Sequence, residues 1–137
     1  MAETVSFEIQ VGKPYEAAME MVEVALKEEG FGVLTRIDVK ATMKQKLDMD
    51  FRSYSILGAC NPHLAHRALS HNGKVGILLP CNVTVEATAE GGSKINIGNP
   101  EVMLGMGGFD RDEILSDVAR EARERLSRVA KALEGKA

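Results

Sequence analysis

Apolar and polar residues alternate at the start of the chain. Val5, Phe7, Ile9 and Val11 are separated by Ser6, Glu8 and Gln10, the period of a strand wet on one face. Gly12 and Pro14 interrupt the pattern, and Pro14 suits the first turn of a helix. The spacing then changes to threes and fours: Tyr15, Ala18, Met19, Val22, Ala25 and Leu26 form one face of a helix that Gly30 ends. Phe31 to Asp38 returns to the strand period, with Val33, Thr35 and Ile37 on one side and Leu34 on the other. Asp38 can cap a short helix carrying Val39, Met43 and Leu47 along one face. A polar stretch, Asp48 to Arg52, leads into a third strand from Ser53 to Cys60.

Asn61-Pro62 is a strong helix start, a capping side chain followed by proline at the first helical position. This helix is expected to run to about Ser70, with His71-Asn72-Gly73 as its turn. Val75 to Thr88 reads as one long strand with Ile77, Leu79, Cys81, Val83 and Val85 in phase, and Pro80 within it points to an edge position or a bulge. Glu90-Gly91-Gly92-Ser93 makes a hairpin turn into a strand from Lys94 to Gly98. Asn99 to Gly108 reads as a loop rich in glycine and methionine. Asp110 with Glu113 resembles a capping box for the last helix, which runs to about Leu133 on a seam of Ile114, Leu115, Val118, Ala122, Leu126, Val129 and Leu133. The order β-α-β-(α)-β-(α)-β-β-α, with its clear hairpin, predicts an α+β domain. Its sheet is mainly antiparallel, with two long helices packed on one face and short extra helices.

The 137 residues, without linker, repeat or low-complexity run, fit a single domain over 1–137. A domain of this size buries enough surface to fold without disulfides or a structural metal. Seventeen Lys and Arg against 20 Asp and Glu leave a net charge of −3, and there is no Trp. A nucleic-acid partner is therefore not expected, since it calls for a basic stripe and aromatic platforms. No apolar run approaches the roughly 20 residues of a membrane span, so no membrane partner is expected either. With two cysteines and no basic-then-apolar start, the expected location is cytoplasmic, with reduced thiols.

No phosphate-loop, nucleophile-elbow, zinc-protease or C-x-x-C motif occurs in the chain. Gly105-Met106-Gly107-Gly108 precedes a helix, but acidic Asp110, Asp112 and Glu113 already occupy that helix end, which opposes an anion site. The remaining chemistry is Cys60-Asn61-Pro62-His63-Leu64-Ala65-His66 together with Leu79-Pro80-Cys81. Thiolate and imidazole are ligands for soft metals, and Cys60 and Cys81 each fall in an apolar phase, so they are expected to face one layer. On the intervening helix Leu64, Ala65, Ala68 and Leu69 define the buried face, leaving His63, His66 and Arg67 opposite. Met103, Met106 and Phe109 supply pliable apolar surface for a ligand or a second subunit.

The run Ile56-Leu57-Gly58-Ala59-Cys60-Asn61-Pro62-His63-Leu64-Ala65-His66-Arg67-Ala68-Leu69, followed by Gly76-Ile77-Leu78-Leu79-Pro80-Cys81-Asn82-Val83-Thr84-Val85, resembles the family called domain of unknown function 302. Gly30 to Val33, the Ile37-Asp38 pair and Tyr54 fit the same pattern, which spans nearly the whole chain. The resemblance implies a β-α-β(4)-α fold of the TATA-binding-protein-like type, found as a homodimer in small prokaryotic proteins, and it implies no activity. Cys60, Asn61, Pro62, Pro80 and Cys81 fall on the family's motif positions. The Met103–Phe109 segment departs from the pattern.

Two functions are expected from this reading. The first is a non-catalytic homodimeric domain, without cofactor, binding a small molecule or a partner in a groove near Cys60, Cys81, Asn61, Pro80, Met103, Met106 and Phe109. The alternative is a redox or soft-metal site built on Cys60 and Cys81 with His63 as a third ligand.

Overall fold

The computed structural model describes residues 4–136. Its elements follow in the order β1 (Ser6–Val11), α1 (Tyr15–Glu28), β2 (Gly32–Asp38), α2 (Val39–Leu47), β3 (Tyr54–Cys60) and α3 (Pro62–His71). A 3-10 helix over Gly73–Leu78 comes next, then β4 (Cys81–Ala87), β5 (Ser93–Gly98), α4 (Pro100–Met106), a 3-10 turn at Phe109–Arg111 and α5 (Glu113–Glu134). The strands form one antiparallel sheet in the order β1-β5-β4-β3-β2. With α2, α3 and α4 set aside as insertions, this is the β-α-β(4)-α order, and the fold is α+β.

Register explains which side chains reach the core. Ile9 lies opposite Ile95, which lies opposite Val85, and the next row joins Phe7, Ile97, Val83 and Leu57. Because successive strand residues face opposite ways, these rows share one face. They pack against Ala18, Met19, Val22 and Leu26 of α1 and Leu126, Val129 and Leu133 of α5, forming the main core. Only the C-terminal half of α5 belongs to it. The N-terminal half runs past the sheet, and its Leu115, Val118, Ala119 and Ala122 form a second cluster with Leu64 and Ala68 of α3, Val75, and Leu104 of α4.

Several expectations are corrected. The long strand from Val75 does not form: Gly73–Leu78 is a 3-10 helix whose start Asn72 caps by accepting from the Lys74 N–H. The ladder begins at Cys81, after a cis Leu79–Pro80 peptide, because Pro80 has no N–H to give it. Ile77, assigned by period to that strand's buried face, is 84% exposed. Pro80 is thus neither at an edge nor in a bulge; β4 is interior, between β3 and β5. The real irregularity lies in β2, where the register shifts between Val33 and Thr35. One extra residue there leaves Val33 opposite Ala59 on the helix side and moves Thr35 and Ile37 to the open face. The Asn99–Gly108 loop is largely α4, capped by Asn99, whose side chain accepts from the Glu101 N–H, with Pro100 at the first position. The cap of α5 is Asp112, not Asp110, and it accepts from the Leu115 N–H at 3.0 Å.

Candidate functional site

Between the main core and the second cluster lies a cavity of about 380 Å³. Local sequence builds each wall. Gly30 takes a φ of +84°, a conformation that suits glycine, and so turns the chain from α1 and delivers Phe31, only 2% exposed, to the cavity. At the end of β3, Asn61 accepts from the Leu64 N–H at 3.2 Å and starts α3, whose Leu64 and Ala68 face inward. Leu78, Leu79 and Pro80 close the next side, and α4 adds Met103 and Leu104. The α5 wall consists of Val118, Ala119 and Ala122, where two alanines leave room that larger side chains would fill.

Gly58 fixes one edge of this construction. A Cβ at that position would lie 2.1 Å from Thr35 Oγ1 and 2.7 Å from Pro80 Cγ, so glycine is what lets both side chains close over β3. At Gly98 the tight neighbour of a Cβ would be the Asn82 carbonyl oxygen at 3.2 Å, while the Met103 sulfur, at 3.4 Å, would be in ordinary contact.

Among the described residues the lining contains no Asp, Glu, Lys, Arg or His side chain. Its polarity comes from Thr35, the Asn61 amide and the Cys60 and Cys81 thiols. Both cysteines are free and half-buried. They do not share a face of the sheet: Cys81 pairs with Ala59, the residue before Cys60, so alternation turns the two side chains opposite ways at the strand ends. Burial pushes the Cys81 thiol up to about 11, and the neighbouring Cys60 adds to the rise. Cys81 is therefore a neutral thiol near pH 7, whereas the nucleophile and metal ligand is the thiolate.

Of the residues singled out by sequence, Cys60, Asn61, Pro80, Cys81 and Met103 line the cavity. His63 is exposed on α3 and does not line it. Among the described residues no three His, Cys, Asp or Glu side chains are grouped to hold a metal. Met106 is 77% exposed, and Phe109 packs on the second cluster rather than on the cavity. The reason is helix α4: its phase turns Met103 and Leu104 inward and Met106 out, whereas a loop would not constrain them. Leu79, beside Pro80 in the marked motif, also lines the cavity, whereas Phe31, Thr35 and the α5 alanines carry no sequence signal of a site. For α4 a signal existed, because Asn99-Pro100 repeats the Asn61-Pro62 start.

One polar tie spans the second cluster from outside. His71 Nε2, at the end of α3, lies 2.5 Å from Asp112 Oδ2, at the start of α5. The Leu115 N–H, and after it His71, hold the Asp112 carboxyl below the usual aspartate range.

Comparison with known proteins bears on the whole of this arrangement. The family model described as "Domain of unknown function DUF302" matches residues 7–133, which include every element around the cavity. A crystal structure of an uncharacterized conserved DUF302 protein from Bacillus stearothermophilus is similar at a TM-score of 0.83 and 31% identity, covering 95% of this chain and 98% of that one. No curated protein matches the chain. Among the described residues no helix is long and apolar enough to cross a membrane. On the extent of the family match and the shared fold, the chain belongs to the DUF302 family.

Proposed function

We propose that the protein is a non-catalytic binding domain that holds a small molecule in the cavity between its two cores. The observation behind this is the cavity itself. Protein interiors close-pack and leave few voids larger than a water molecule, because unfilled space forfeits dispersion contacts. Here the main core is packed, yet about 380 Å³ beside it is open. That volume lies within the roughly 300–1,000 Å³ typical of small-molecule sites. The absence of a carboxylate, amine, guanidinium or imidazole among the described lining residues, where the thiols are the ionisable groups, favours binding over proton-transfer catalysis. The protonated state of Cys81 and the position of His63 outside the site weigh against the thiol–metal alternative. The test is saturable fluorescence enhancement of the neutral probe N-phenyl-1-naphthylamine. One probe per chain, displaced when Ala119→Leu fills the wall, is the expected result; an unsaturable response, or an equal response from the folded variant, contradicts the reading.

The domain is further proposed to work as a homodimer. The face of the sheet away from α1 and α5 is polar along Glu8, Asn96 and Thr84 but apolar at Ile56 and Ile37. Ile37, Leu47 and Met49 are at least half exposed, and α2 buries none of its residues. Apolar exposure on an edge strand and its adjoining helix suits a second copy of the chain. Sedimentation at micromolar concentration is expected to give twice the chain mass of 14.8 kDa, and Ile37→Glu to shift it toward the monomer. A stable monomer in the parent chain would overturn the proposal.

A further inference from the structure

We infer that the cavity selects an uncharged, mainly hydrocarbon ligand, an alkyl or aryl body with at most one neutral polar group near Asn61 and Thr35, and rejects the ionised analogue. This rests on the cavity being the binding site. Among the described residues the lining has no cationic side chain to pair a carboxylate or phosphate, and no carboxylate to pair an ammonium. Moving an unpaired ion from water into such surroundings is far more costly than moving a neutral group. The site's effect on charge is visible in its own wall, where burial opposes ionisation of Cys81. The polar atoms that remain are suited to a single neutral group. Besides the thiols, Asn61 and Thr35 are the polar side chains of the lining; Asn61 Oδ1 already accepts the Leu64 N–H, and its NH2 group lies on the Gly30 side.

Apolar side chains in the segments that line the cavity also reach solvent. Leu69, part of the lining, is 44% exposed, and Ile77, between the lining residues Gly76 and Leu78, is 84% exposed. A charged ligand meets no side-chain counter-charge among the described lining residues.

The experiment is a calorimetric titration at pH 8 with 1-decanol, kept below its aqueous solubility, and with decanoate and decyltrimethylammonium, each below its micellar concentration. The three share one chain and differ in charge. The expected result is one 1-decanol per chain, bound at least about tenfold more tightly than either ion, a difference of about 1.4 kcal/mol. Ala119→Leu and Ala68→Leu, made separately so that misfolding of one leaves the other, should each weaken 1-decanol binding. Decanoate or decyltrimethylammonium binding as tightly as 1-decanol, with sensitivity to the filling variants, would overturn the charge selection and leave the cavity as a binding site. Binding of none of the three to the parent chain would overturn both. Binding of 1-decanol that neither folded variant weakens would place it elsewhere and likewise overturn the inference.

Discussion

At the scale of single residues, two side chains at the cavity report on its construction. Burial raises Cys81 from 9.0 to about 11, so between these values the folded chain holds a proton that the unfolded chain has released. The stability this contributes is complete below about pH 9 and is lost as the pH rises through about 11. Urea unfolding across that interval should show the decline, and Cys81→Ala should flatten it; identical profiles would mean the thiol is not desolvated as described. Gly58 reports on close approach. Gly58→Ala must displace Thr35 and the Pro80 ring, and overpacking of this kind costs roughly 1–3 kcal/mol. A variant with the parent's unfolding midpoint would remove Gly58 from the account. The sequence made the two sulfurs, Asn61 and Pro80 conspicuous as residue types, but the contact of Pro80 with Gly58 depends on strand pairing, which local pattern does not encode.

At the scale of elements, stability depends on how helices are started and tied. Asp112 both caps α5 and meets His71 from the end of α3. Since the folded protein holds this carboxyl below its ordinary value, the associated stability is present above that value and is lost as pH falls through the depressed one. Asp112→Asn keeps a capping acceptor but does not titrate. Its stability should fall less steeply than the parent's as the pH falls through and below the ordinary aspartate range, measured by urea unfolding at each pH; parallel curves would contradict the assignment. The same elements show why reading from sequence succeeded in places and failed in others. β1, α1, β5 and α5 have a sustained period together with a cap or turn residue, so two independent signals agree. The Val75–Leu79 stretch has apolar residues at every second position, but those residues divide between cavity and solvent in a 3-10 helix. A short apolar run cannot distinguish these outcomes. In β2 one extra residue reverses the phase of everything after Val33.

At the scale of the whole molecule, the fold class was legible because each local period agreed with one antiparallel sheet under two long helices. The cavity was only partly legible. Its sulfur, asparagine and proline members lie in two marked motifs, whereas Phe31, Ala119 and Ala122 read simply as core. What makes them a site is that α5 is longer than the sheet it covers, so its first half needs other partners: α3, α4 and the 3-10 helix. Two cores along one helix leave a seam between them, and that seam is the proposed binding site. Methyl-resolved NMR during titration with 1-decanol tests this most directly. Shifts concentrated in Leu64, Val75, Leu104 and Val118, with Ile9, Val85 and Leu133 unmoved, are predicted; no saturable shift, or shifts centred on the main core, would contradict the account.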